Sequence, residues 1–76
     1  FNPQATFTLQ IAAAQDVAIK VYDVLGRQVA TLHEGALATG AVHRFEVDGR
    51  SLASGAYVLR VQGEDFAETR RLTLVK

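Results

Sequence analysis

The sequence predicts an all-β fold, arranged as a small antiparallel β-sandwich of about seven strands. Apolar residues recur at every second position in several short segments of the 76-residue chain. This period places alternate side chains on one face of a β-strand. Turn-forming residues separate the segments at intervals of about 8 to 12 residues, which is typical of a sandwich. An open barrel is the alternative arrangement of the same strands.

Residues 6–11 and 16–22 are the first two predicted strands. In each of them apolar residues share one face, and mainly polar or small residues occupy the other, so both strands should be half-buried. The apolar faces consist of Phe7, Leu9 and Ile11 in the first strand and Val17, Ile19 and Val21 in the second.

A hairpin turn should follow at Asp23-Val24-Leu25-Gly26. The Asp23 side chain can accept hydrogen bonds from backbone N–H groups two residues on, and Gly26 can adopt the positive φ that ends a type I turn with a bulge. A bulkier residue at Gly26 should strain the turn. The chain should return over residues 28–32, with Val29 in the core and Leu32 close to a loop.

The centre of the chain is less regular. Residues 34–40 contain two glycines and no clear period, which predicts a loop that carries the chain to another strand. The next strand should span residues 42–47, with one face made of His43, Phe45 and Val47. Asp48-Gly49 is a strong turn signal after it. A second tight turn is expected at residues 52–55, with Leu52 at the end of the core.

The last two strands should span residues 56–62 and 66–75. Their apolar faces consist of Tyr57, Leu59 and Val61 in the first and Phe66, Leu72 and Leu74 in the second. Gly63-Glu64 between them is a pair suited to a two-residue type II′ turn. Together, these short strands and turns predict an immunoglobulin-like sandwich of one domain spanning residues 1–76.

Composition excludes several classes of function. The net charge is zero, and neither sign forms a long run, so the chain lacks the basic footprint of a nucleic-acid binder. It contains no cysteine, and therefore neither a disulfide nor a thiolate nucleophile. Its 76 residues contain neither the pattern of a signal peptide nor an apolar stretch of about 20 residues. We expect the segment to be cut from a larger secreted protein.

The residues that could support catalysis or metal binding have simpler explanations. A nucleophilic set could only combine Ser51 or Ser54 with His43 and Asp48, and no G-x-S-x-G elbow is present. His33 and His43 lack the spacing of metal ligands. We therefore expect no enzyme activity, no catalytic residue, no metal, no cofactor and no small-molecule substrate.

A basic group lies in the last two strands. It consists of Arg60, Arg70, Arg71 and Lys76, which could form a stripe on the solvent face. Charged residues on an edge strand discourage aggregation, and they can also recognise a partner. Partner contact is expected for three of them, Arg70, Arg71 and Lys76.

The order of motifs resembles the C-terminal sorting domain of the type IX secretion system. The resemblance rests on VYDVLGRQV at 21–29, a loop ending in Gly40, LASGAYV at 52–58, a basic strand ending at Lys76, and Asn2-Pro3 near the start. By this likeness the positions to carry over are Gly26, Arg27, Gly40, Gly55, Tyr57 and Lys76. Asp23 joins them as a motif and turn position. The glycines should serve backbone shape, and the basic residues should serve contact.

The resemblance implies a cargo of Gram-negative bacteria that enters the periplasm in transit and is then secreted or displayed on the cell surface. Its implied partners are the type IX translocon, a sortase-like cysteine peptidase, and the N-terminal cargo domains of the same chain. Two other functions remain open. One is a structural immunoglobulin-like spacer or accessory domain, and the other is a carbohydrate-binding module, against which the missing tryptophan argues.

Overall fold

Six β-strands form two antiparallel sheets in the computed structural model, which describes residues 4–40, 42–50 and 52–75. The strands are β1 (Gln4–Leu9), β2 (Gln15–Asp23), β3 (Gln28–Leu37), β4 (His43–Asp48), β5 (Gly55–Gln62) and β6 (Ala67–Leu74). β1 pairs with β4, and the other four lie in the order β3-β2-β5-β6. The prediction of an all-β sandwich is confirmed, with six strands in the described residues instead of about seven.

The core lies between the two sheets. Its buried side chains are Leu9, Ile11, Val17, Ile19, Val21, Leu37, Val47, Tyr57, Leu59, Val61 and Leu74. Most of them come from the alternating positions of β2 and β5, which are the two central strands of the larger sheet. The rings of Phe7 and Phe45 stack on the smaller sheet with centroids 5.4 Å apart, and Phe45 also meets His33 of β3 at 5.7 Å. Both sheets therefore contribute to one core.

The expected loop over residues 34–40 is wrong in its first half, because β3 continues to Leu37. Two register shifts interrupt the pairing of β3 with β2, and each leaves one residue of β3, Leu32 or Val29, without an opposite partner. Both residues pack against the core. Since each bulge changes which face the following residues occupy, β3 has no continuous period of two. Leu32 thus lies inside a strand and not close to a loop.

The hairpin between β5 and β6 also differs from the prediction. The N–H of Gly63 donates to Phe66 O at 2.9 Å, so the two turn residues are Glu64 and Asp65, not Gly63 and Glu64. Gly63 is not among the glycines with positive φ, which excludes the type II′ turn. The Gln15 carboxamide oxygen instead accepts a hydrogen bond from Glu64 N–H at 2.8 Å. The turn is held by β2 as well as by its own backbone.

Candidate functional site

The turn between β2 and β3 has the geometry expected for Asp23 and Gly26. Gly26 N–H donates to Asp23 O at 3.0 Å, and Asp23 N–H donates to Arg27 O at 2.9 Å. Gly26 has a φ of 81°, a conformation that glycine adopts without a steric penalty. This is a type I turn closed by a bulge. The turn presents Val24 and Leu25 at its tip, where each is 74% exposed.

The Asp23 carboxylate stabilises this turn through hydrogen bonds to its backbone. It accepts hydrogen bonds from Leu25 N–H at 2.9 Å and Arg27 N–H at 3.0 Å, and its other oxygen pairs with Arg27 Nε at 2.8 Å. The Arg27 backbone N–H, followed by the Arg27 side chain and the Leu25 N–H, lowers the pKa of Asp23. Arg27 is therefore already engaged by the turn, although its side chain is mostly exposed.

A second carboxylate performs a similar task after β4. Asp48 accepts hydrogen bonds from the N–H of Arg50 at 3.0 Å and from the Arg50 guanidinium, whose Nη2 lies 2.8 Å from Oδ2. The Arg50 side chain and then its backbone N–H lower the pKa of Asp48 to about 2. A hydrogen bond from Leu52 N–H to Gly49 O, 3.1 Å long, closes the turn that follows. Leu52 packs against the core, as expected.

These two carboxylates predict a loss of stability in acid. Because folding lowers both pKa values, the two carboxylates contribute fully to the stability of the folded domain above the unfolded pKa near 3.8. The stabilising contribution of Asp48 is lost as the pH falls through its folded pKa of about 2. We expect the urea midpoint of unfolding to fall between about pH 4 and pH 2. Asp48→Asn and Arg50→Ala should each make this fall smaller, and unchanged pH profiles in both variants would contradict the assignment.

The remaining motif residues shape the ends of the strands. Gly40 has a φ of 82° and Gly55 a φ of 152°, so both adopt backbone conformations that favour glycine. Tyr57 is buried at the start of β5, and its hydroxyl donates to Ala53 O at 2.6 Å. A tyrosine that bonds to the backbone a few residues upstream is a feature of immunoglobulin-like sandwiches. It ties the turn before β5 to the core.

The predicted basic stripe does not form on one face. Arg70 points to the same side of β6 as Leu74, which is buried in the core, and Leu72, which packs against it. The Arg70 guanidinium carbon lies 5.6 Å from the centre of the Phe7 ring. Arg70 also pairs with Glu68 Oε1 at 3.1 Å. Arg71 lies on the outer face with Arg60. Lys76, the third expected contact residue, lies outside the described residues.

The outer face of the larger sheet does assemble another basic group. Lys20 of β2 is directly opposite Arg60 of β5, and Arg71 of β6 is diagonal to Arg60. Lys20 is absent from the predicted basic stripe, because its proximity to Arg60 depends on the pairing of strands that are distant along the chain. A shallow open depression of about 450 Å³ borders Arg60 and is also lined by Tyr22 and Val58.

Two members of the conceivable catalytic set, His43 and Asp48, make other contacts. His43 and Asp48 occupy opposite ends of β4, which separates their Cα atoms by roughly 17 Å. His43 Nε2 lies 2.7 Å from Ala38 O, and Asp48 binds Arg50. Ser51 lies outside the described residues. Within the described ranges, no three histidine, aspartate or glutamate residues form a group that could hold a metal ion.

Nearly the entire chain matches the model of a known protein family. The family model for the secretion system C-terminal sorting domain matches residues 2–75. No curated protein and no solved structure matches the chain. Over the described residues, the fold contains no helix long and apolar enough to cross a membrane. The family match thus covers all six strands of the sandwich described above.

Proposed function

Because the chain belongs to the family of type IX secretion C-terminal sorting domains, we propose that it carries its cargo across the outer membrane. The cargo first reaches the periplasm, where the type IX translocon recognises this domain. It is then released or held on the cell surface. The observation that carries the proposal is the family match over residues 2–75.

The arrangement of polar groups supports a role in recognition without catalysis. The Asp23 and Asp48 carboxylates are occupied by turn hydrogen bonds, and the His43 ring bonds to a backbone carbonyl. Val24 and Leu25 are exposed at the tip of a turn closed by hydrogen bonds, and three cations lie on the outer face of the larger sheet. Exposed apolar and basic groups on a rigid scaffold are suited to binding another protein.

A sortase-like cysteine peptidase is the second proposed partner. In this proposal it removes the domain after translocation, and the cargo is then free to be attached to the surface. The peptidase would act on the connection between the domain and its cargo.

The test is export of the full-length precursor that carries this domain. In a bacterium with type IX secretion, the intact protein should reach the cell surface or the medium, and a version without residues 2–75 should stay in the periplasm. The intact protein should also stay in the periplasm of a strain that lacks the translocon. Protease resistance of the retained cargo provides the folding control. Export of the truncated version would contradict the proposal and favour a spacer or accessory domain.

A further inference from the structure

The two edges of the larger sheet differ in their ability to accept another strand. β3 forms one edge, and its two bulges interrupt the regular row of backbone groups. β6 forms the other edge and pairs with β5 through eight consecutive residues without a register shift. Among the six described strands, only β5 lies beside β6. A regular edge without a bulge is a template for pairing with another chain.

The hydrogen-bond pattern identifies which groups of β6 face outward from this edge. Gly63 N–H donates to Phe66 O, which fixes the alternation of bonded and non-bonded pairs along the β5–β6 ladder. By that alternation Ala67, Thr69 and Arg71 direct their N–H and C=O groups away from β5. Their side chains lie on the outer face of the sheet, together with Arg60.

The charges beside this edge indicate the chemistry of the partner. Lys20 and Arg60 form a direct cross-strand pair of like charge, which is unfavourable, and Arg71 lies diagonally next to them. Within the described part of the chain, none of the three cations forms a salt bridge with a carboxylate. An added strand with acidic side chains on its outer face would bring carboxylates next to Arg71 and towards Arg60.

We propose that the β6 edge binds an extended, acidic segment of the secretion machinery as an additional strand of the larger sheet. This inference rests on the proposed function, and it specifies how the domain is recognised. Main-chain hydrogen bonds at Ala67, Thr69 and Arg71 supply affinity, and the cations supply selectivity. A second copy of this chain fits less well, because its own β6 would add another Arg71 to an outer face that is already basic.

The first test removes one outward N–H from the edge in the full-length precursor. Thr69→Pro deletes this donor and places a ring where the partner strand would approach, without removing a bond to β5. Thr69→Val is the matched control, since it keeps the N–H and the branched shape. We expect Thr69→Pro to lower the exported fraction about tenfold and Thr69→Val to stay within about twofold of the wild type. Wild-type export of a folded Thr69→Pro variant would overturn the inference.

The second test changes charge and does not depend on whether the proline variant folds. Arg71→Glu should lower the exported fraction about tenfold. Arg44→Glu is the control, because Arg44 is an exposed residue on the smaller sheet. Equal export of both variants at the wild-type level would overturn the role of the cations. If Arg71→Glu reduces export but folded Thr69→Pro does not, an anionic surface such as a polysaccharide recognises the charge, and strand addition is wrong.

A photocrosslinking residue identifies the occupant. Placed at position 69 of the full-length precursor, it should form a crosslink to a component of the type IX machinery, identified by mass spectrometry and lost in a strain without that component. Position 8, an exposed site on β1, is the control. A crosslink from position 69 to a second copy of the precursor would overturn the inference. If wild-type export proves independent of the translocon, the proposed function itself fails, and this inference fails with it.

Discussion

Leu59→Ala should destabilise the domain severely. Leu59 lies at the centre of β5, and its side chain has no exposed surface. Truncating a fully buried leucine costs about 3 kcal/mol, because apolar contacts are lost and a cavity remains. A domain of this size has a free energy of unfolding of roughly 4 to 11 kcal/mol, so the loss is a large fraction of the total.

Urea unfolding of the domain measures this effect. The midpoint should fall, and the slope of the free energy with urea should stay the same, as expected when only stability changes. Val58→Ala is the matched control, since Val58 is the neighbour of Leu59 on the outer face and is only partly buried. The control should lose less than about 1 kcal/mol. Equal losses in the two variants would contradict the assignment of the core.

Gly63→Ala is the second change for which we expect a large loss of stability. A Cβ at position 63 would overlap the Phe66 ring and would lie 2.7 Å from the Gln15 carboxamide oxygen. Phe66 packs against the core, and the Gln15 oxygen holds the turn at Glu64, so neither can move without losing its own contacts. Overpacking of this kind costs about 1 to 3 kcal/mol.

A double-mutant cycle tests the steric explanation. Phe66→Leu shortens the side chain that a Cβ at position 63 would meet, so the cost of Gly63→Ala should be smaller in the Phe66→Leu background. The same cycle with Gly26→Ala is the control, because a Cβ at Gly26 would meet open space and its cost comes from positive φ alone. That second pair should be additive within about 0.5 kcal/mol. Additivity in both cycles would show that the Phe66 ring does not require glycine at position 63.

Much of the fold could be predicted because its central strands are regular. Val17, Ile19 and Val21 in β2 are all buried, and their period of two is visible in the sequence. The turn at Asp23 and Gly26 could be predicted equally well, because local hydrogen bonds and one positive φ determine it. Local interactions and alternating burial are the features that a single sequence displays directly.

The errors arise where structure depends on distant residues. The bulges at Val29 and Leu32 follow from the pairing of β3 with β2 and from packing against the core, so the sequence of β3 alone does not show them. A Cβ at position 63 would overlap the Phe66 ring, and the turn itself lies one residue later than predicted.

The basic outer face of the larger sheet could be predicted only in part from the sequence. Alternation alone places Arg70 on the face of Leu72, two residues later, and so could have separated it from Arg71. The proximity of Lys20 to Arg60 follows from strand pairing across the sheet. Recognition by a partner leaves no fixed local pattern, and this basic face depends on the register of β2, β5 and β6.

The measurement that most directly tests the central claim is transfer of the sorting signal to an unrelated protein. This domain would be fused behind a periplasmic signal peptide and a fluorescent reporter, and the reporter would be measured in the periplasm, on the cell surface and in the medium. We expect it outside the outer membrane only in bacteria with an intact type IX translocon. Periplasmic retention of a protease-resistant fusion in both the intact strain and a strain without the translocon would contradict the claim.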